Sequence, residues 1–239
     1  MKTAVVIGVG PLNGLGAQLC VRFAQKGLRT FVGGRTQESV DAIADHINSQ
    51  GHTAKGVATD ARDPASMKAL FDTIDSSGGE LAVAIYNVGN NTPGRIADME
   101  PSYFENAWRT CCFGGFLFAQ EAIRRMPNGG TLLFTGASAS LRGRANFGAF
   151  NSGKGALRML AQALAKEAAA DGVHVGHVVI DGPIGGEKII QGIPQLVERI
   201  GEDGLIDIQG IVDAYEYMHE QPRRAWTFEV DVRTSVESW

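Results

Sequence analysis

Lys154 stands in the stretch "GAFNSGKGALRML", Gly148 to Leu160, one charged side chain among small and apolar residues. Taking an ammonium out of water is costly unless its charge is used. Such a lysine holds hydroxyl groups or anions, or acts as an acid, a base or an imine-forming amine. Four residues earlier Phe150 presents an inert ring. Hydroxyl, amide and thiol groups stand in nearby segments: Ser138 and Ser140 in "TGASASLRG", then Asn151 and Ser152, with Cys111 and Cys112 further upstream. Ser138 is the candidate to orient a carbonyl group. For Ser140, Asn151 and Ser152 the competing reading is loop and helix capping, and for the cysteines it is packing.

A second constellation lies near the N-terminus. In "AVVIGVGPLNGLGAQLCVRF" the glycines Gly10, Gly14 and Gly16 follow a β run and open a helix with Leu15, Leu19 and Phe23 on one face. This G-x-x-x-G-x-G turn, with Asn13 and Leu15 inside it, lets backbone N–H groups approach a pyrophosphate at the positive end of the helix. Its place between first strand and first helix points to dinucleotide binding. The second β run ends in "FVGGRTQES". A site that reads the NAD ribose usually offers an acidic residue here. Arg35 stands there instead, beside Thr36, and a guanidinium suits a 2′-phosphate. The expected cofactor is therefore NADP(H) rather than NAD(H).

These groups must be positioned by a larger frame. β-rich runs at Ala4–Val9, Thr30–Gly33, Ala54–Thr59, Leu81–Asn87, Thr131–Thr135, Val173–Ile180 and Trp226–Val232 alternate with helical patterns near 14–26, 37–49, 64–76, 102–126, 152–170 and 207–220. Nearly continuous apolar strands are expected where both sheet faces are covered. The alternation predicts an α/β fold, a Rossmann-type doubly wound parallel sheet of about seven strands with helices on both faces. No linker or repeat divides the chain, so residues 1–239 are expected to form one domain. The segment 182–206, rich in glycine and proline directly after a strand, is read as a flap or a surface loop.

Composition narrows the partners. A net charge of −4 favours neither nucleic acid nor an anionic membrane. Three cysteines without a C-x-x-C pair fit a reducing, cytoplasmic setting. No apolar stretch approaches a membrane span, and the N-terminus lacks a signal-type core. His174 and His177 form an H-x-x-H pair, but on a strand they face opposite sides, so no metal is expected.

Together these residues resemble the short-chain dehydrogenase/reductase family across almost the whole chain. Gly10, Gly14 and Gly16 match its glycine motif, with Val9 where many members have threonine. Asp60, followed by Ala61, falls where the family places an aspartate near the adenine. Asn87-Val88-Gly89 is similar to the N-A-G element. Gly182 and Ile184, in "DGPI", match a P-G-x-I stretch, and Lys154 matches the lysine of Y-x-x-x-K. The resemblance implies that Lys154 holds the nicotinamide ribose. It also implies that Phe150 fills the tyrosine's place, Ala137 the serine's and Cys111 the asparagine's. The implied protein is an oxidoreductase of a small carbonyl or hydroxyl substrate with a non-standard proton donor. The alternatives are a redox-inactive cofactor-binding protein and a lyase on the same fold. A homodimer or homotetramer, formed through the helices carrying Phe104, Trp108, Phe113, Phe116, Phe118 and Lys154, is implied likewise.

Overall fold

The computed structural model describes residues 1–89 and 91–237. Its strands are β1 (Lys2–Ile7), β2 (Arg29–Gly34), β3 (Ala54–Ala58), β4 (Glu80–Tyr86), β5 (Gly130–Thr135), β6 (Val173–Asp181) and β7 (Glu229–Arg233). All pair in parallel, in the order β3-β2-β1-β4-β5-β6-β7. The helices are α1 (Leu15–Gln25), α2 (Gln37–Ser49), α3 (Pro64–Ser76), α4 (Pro101–Trp108), α5 (Gly114–Arg124), α6 (Gly148–Glu167), α7 (Glu187–Gly192), α8 (Pro194–Ile200) and α9 (Ile208–Glu220).

Alternate strand residues feed two cores, which is why the strands read as unbroken apolar runs. Ala4, Val6, Val83, Ile85, Val178 and Ile180 pack against α1, α2 and α9. Val5, Ile7, Phe31, Ala84, Tyr86, Leu132 and Phe134 pack against α3, α5 and α6. Leu19 and Phe23 of α1 are wholly buried, each contributing about 1.5–3 kcal/mol. Strand order reverses between β1 and β4, and there the loops diverge and leave a crevice beyond the strands' carboxyl ends.

Three boundaries differ from the sequence expectation. The single helix expected over 102–126 is broken: Arg109–Phe113 form a π-helical turn between α4 and α5. One extra residue in that turn disturbs the carbonyl ladder, and the buried Tyr86 hydroxyl donates to the Thr110 carbonyl at 2.5 Å. Gly114 and Gly115 make room, since a Cβ would meet Tyr86 Oη at 2.4 Å and Leu157 Cδ1 at 2.5 Å. The last strand begins at Glu229, because Trp226 stacks on His174 with ring centroids 4.9 Å apart. Helix α6 begins at Gly148, so Phe150 and Lys154 sit one turn apart on the same face.

Candidate active site

The crevice starts where β1 and β4 end. Gly8 turns the chain with φ +84, and a Cβ there would meet the Asn87 carbonyl oxygen at 2.5 Å. Gly16 brings α1 equally close, its notional Cβ lying 3.0 Å from Asn87 Nδ2 and from the Gly8 oxygen. Gly10, by contrast, faces open space. The Gly14 N–H donates to Pro11 O at 2.9 Å, and Gln18 Nε2 fixes the Leu12 carbonyl at 2.8 Å. Gly14 is the N-cap of α1, no acidic residue occupies the first turn, and Leu15 is buried beneath it. The result is a rigid cradle with helical N–H groups at its mouth, which fits a phosphate group.

At the outer end Arg35 and Thr36 follow β2, both exposed. Asp60 follows β3 and is gripped by Arg62, whose Nε and Nη2 donate to its two oxygens at 3.0 and 2.8 Å. Arg62 holds the Asp60 carboxyl below its usual range, with Arg35 adding to the field. Ala61 is buried, and its carbonyl packs closely against Gly114. Arg62 was not anticipated from the sequence, yet it stands as a second guanidinium in the same field as Arg35.

At the inner end the polar groups interlock. Asn87 Nδ2 donates to Gly8 O at 3.1 Å, while its Oδ1 accepts from Thr135 Oγ1 at 2.9 Å. Thr135 Oγ1 also pairs with the buried Tyr215 hydroxyl at 2.6 Å. The Thr135 carbonyl faces the other way and accepts from Lys154 Nζ at 2.7 Å, and Val88 O accepts from it at 3.0 Å. Lys154 is only 3% exposed. Burial lowers its pKa, with nearby Cys111 opposing the effect. A Cβ on Gly89 would sit 3.3 Å from Lys154 Nζ and 3.8 Å from Phe150 Cε2. The ammonium lies 5.9 Å from the Phe150 ring centroid. Gly89, Phe150 and Lys154 thus bound one small space at the end of the crevice.

The other groups expected nearby divide by what they already bind. Ser140 Oγ accepts from Ala137 N at 3.2 Å, and Ser152 Oγ donates to Gly148 O at 2.8 Å. Asn151 Nδ2 donates to Arg142 O at 2.7 Å and Ala139 O at 3.2 Å, and its Oδ1 accepts from Arg144 N at 3.1 Å. Asn151 thus staples the 137–144 loop to α6, while Ser140 closes the loop on itself and Ser152 bonds back within the first turn of α6. Ser138, half-buried, opens a short 3-10 turn whose carbonyl accepts from Leu141 N at 2.9 Å. Cys111 is fully buried in the π-helical turn, and a Cβ on Gly153 would meet its Cβ at 2.7 Å. Arg142 Nη2 contacts both oxygens of buried Asp181 at 2.9 and 3.0 Å, tying the same loop to the end of β6.

Segment 182–206 leaves and returns beside the cradle. Gly182 has φ +153 and approaches Ile206 Cδ1, while Ile184 and Ile206 form a parallel bridge. Gly185 N donates to Ile206 O and Ile206 N to Pro183 O, both at 2.9 Å. Between these ties lie α7 and α8, and Glu187 N donates to Asn13 O in the glycine loop at 3.2 Å. A hollow of about 490 Å³ lined by Arg29, Lys55, Thr73, Ser76 and Ser77 lies at the opposite end of the sheet. The hydroxyls of Thr73, Ser76 and Ser77 donate to carbonyls of the preceding helical turn, which leaves the hollow poorly equipped to bind a ligand. Among the described residues no helix is long and apolar enough to cross a membrane, and no group of three metal-binding side chains gathers.

Comparison with known proteins points to one family. A family model described as short chain dehydrogenase matches residues 2–184. A versicolorin reductase of Emericella nidulans is 30% identical over 166 residues, which is 69% of this chain and 62% of that protein. The chain's match thus spans under two thirds of the length of that curated relative. An NADPH-dependent aldehyde reductase-like chloroplastic protein of Arabidopsis thaliana is 27% identical over 218 residues, 83% of this chain and 79% of its own. The crystal structure of a short-chain dehydrogenase from Rhodopseudomonas palustris superposes with a TM-score of 0.82 at 32% identity, covering 97% of this chain and 98% of the other.

Proposed function

Given that the chain belongs to the short-chain dehydrogenase family, we propose that it is an NADP(H)-dependent oxidoreductase of a carbonyl or hydroxyl compound whose proton donor is not a tyrosine. The observation that carries this reading is the buried Lys154 ammonium, held by two carbonyls at the closed end of a glycine-lined crevice. Reduced nicotinamide supplies a hydride when bound. The protein's part is to bind, orient and handle the proton. Helix α1 and the Gly10–Gly16 turn receive the pyrophosphate, Arg35 the 2′-phosphate, and Asp60 with Ala61 the adenine side. Asn87, Val88, Gly89, Gly182 and Ile184 line the nicotinamide end, where Lys154 holds the ribose hydroxyls. Ser138 orients the carbonyl oxygen, because the neighbouring Ser140 and Asn151 are committed to the loop and Ser152 to the first turn of α6. Segment 182–206 acts as the flap over the substrate.

The NADP(H) preference rests on Arg35, supported by the NADPH-dependent Arabidopsis relative. Titration with NADPH and NADH, read by energy transfer from tryptophan to nicotinamide, tests it. Arg35→Ala is expected to weaken NADPH roughly 10–100-fold, the worth of a charge-assisted phosphate contact, and to leave NADH nearly unchanged. Equal losses for both nucleotides would show that Arg35 does not read the phosphate.

Phe150 favours a second reading, a cofactor-binding protein without redox turnover. A panel of aldehydes, ketones and alcohols separates the two. Lys154-dependent NADPH oxidation supports the enzyme, and tight binding with solvent-level turnover supports the alternative. Assembly as a homodimer or homotetramer is proposed through α4 to α6. Exposed Phe104, Trp108, Phe116 and Met159 stand on these helices, with Trp108, Phe113 and Phe116 stacked in a row.

A further inference from the structure

Behind Lys154 lies a second, partly buried polar cluster that the reading above does not use. His177 of β6 is fully buried, and its Nδ1 pairs with Glu229 Oε2 of β7 at 2.9 Å. Arg158 of α6 grips the same carboxylate, with Nε to Oε2 at 2.6 Å and Nη2 to Oε1 at 2.9 Å. A carboxylate forked by a guanidinium stays ionised and can only accept. The proton of His177 therefore resides on Nδ1, and Nε2 carries a bare lone pair. That Nε2 has no partner among the described residues. It is pressed against Gly136, where a Cβ would lie 2.3 Å from both Nε2 and Cε1. Phe228 backs the ring with near-parallel planes.

The cluster closes a circuit. Gly136 follows Thr135, whose carbonyl accepts from Lys154. Lys154 and Arg158 are one turn apart on α6. From Arg158 the contacts run to Glu229, on to His177, under Gly136 and back through Thr135 O to Lys154, and the backbone of α6 completes the ring. The Gly136 N–H is itself held by Val178 O at 2.7 Å. The peptide that grips the ammonium is thus clamped by strand pairing on one side and by the imidazole edge on the other. The charge of Lys154 is felt at His177, where with Arg158 it disfavours a second cation.

We propose that His177, backed by Glu229 and Arg158, is a positioning residue for Lys154, fixing the Thr135–Gly136 peptide that holds the ammonium at the cofactor crevice. The inference rests on the cofactor-binding reading for its purpose and on the free protein for its test. A brace of this kind leaves room for no larger residue than glycine at 136. Its dependence on a donor at the Nδ1 position also distinguishes it from simple packing.

The first measurement is a pH titration of isotope-labelled lysine side chains by NMR in the free protein. The Lys154 signal is assigned by its loss in Lys154→Arg. In wild type it titrates below the surface lysines. In His177→Leu, which removes the donor, water reaches the ammonium and the midpoint rises by about half a pH unit or more. His177→Asn, which keeps a donor near the Nδ1 position, restores most of the wild-type value. Glu229→Gln, a milder change at a partly exposed site, breaks the fork with Arg158 and weakens the hold on Nδ1, so the midpoint moves in the same direction by a smaller amount, which keeps the brace testable should His177→Leu fail to fold. The second measurement is NADPH affinity. His177→Leu weakens it about tenfold through misplacement of Lys154, and the loss disappears in a Lys154→Met background. An unmoved Lys154 midpoint in His177→Leu, or additive losses in the double variant, would overturn the brace. Absence of nucleotide binding by wild type would instead defeat the cofactor reading, while the lysine titration would still decide the brace.

Discussion

Phe150→Tyr raises NADPH-dependent reduction of a simple aldehyde or ketone by about 10²–10⁴-fold, the usual contribution of a positioned general acid. The ring already lies beside Lys154, 5.9 Å from centroid to ammonium, and shares one face of α6 with it. A phenol there is near enough for the cation to favour its ionised form, bringing a group with a pKa near ~10 closer to neutrality. Adding Ala137→Ser supplies a hydroxyl at the adjoining loop position and extends the gain, since oxyanion donors are worth about 10²–10³. The two effects are not additive. The measurement is NADPH oxidation at fixed substrate for wild type, each single variant and the pair, with NADPH affinity measured in parallel. Unchanged turnover with intact NADPH affinity would mean that the Phe150 position does not face the reacting carbonyl. The proton donor would then have to be sought on another wall of the crevice.

The second large effect is on stability in acid. Burial of His177, opposed by Glu229 and reinforced by the charges of Lys154 and Arg158, drives its pKa from 6.5 to about 4. Between those values the unfolded chain binds the proton and the folded chain does not, so stability falls as pH falls. The loss attributable to His177 is roughly 3 kcal/mol, complete once pH drops through about 4. His174 and His219 are also shifted down by burial, and their losses run in the same direction. Glu229, held low chiefly by Arg158, adds a further loss at still lower pH. Urea unfolding midpoints near neutrality and near pH ~4.5 should therefore differ widely in wild type. His177→Asn, which cannot take up the proton, should remove much of that difference. A variant that keeps the full acid loss would assign the lability to the other buried histidines.

Much of this molecule was legible in its residue order, and the reasons are physical. Strands covered on both faces must be apolar throughout, so runs such as Ala4–Ile7 and Leu132–Phe134 announced themselves. The glycine turn was visible through Gly10, Gly14 and Gly16, of which Gly16 is the one where close approach of α1 to β1 and β4 tolerates no side chain, while Gly8, equally constrained, was not singled out. What escaped notice depends on partners far away in the chain. The break at Arg109–Phe113 is met by the hydroxyl of Tyr86, and nothing local betrays it. Local structural duties for Ser140, Asn151 and Ser152 were foreseen as an alternative, but they separate from a chemical role only once each finds its partner in the loop or in the first turn of α6. Arg62 reads as an ordinary surface arginine until it folds back on Asp60. The alternation of a strand already set His174 and His177 on opposite faces, and His174 packs beside Trp226 while His177 meets Glu229. Its brace needs a residue 52 positions later.

The tie between Ile184 and Ile206 has a consequence for how this fold can change. A loop whose ends are already joined by backbone hydrogen bonds has met its closure cost at the neck. Lengthening what lies between adds only about 0.6 kcal/mol for each doubling of length. Residues 185–205 therefore behave as a cassette that can be extended, shortened or exchanged while the seven-stranded sheet keeps its register. One of its backbone groups rests on the glycine loop through Glu187 and Asn13. New contents inserted there start from a neck anchored beside the glycine loop, so the surface of this stretch can drift without the crevice floor being rebuilt.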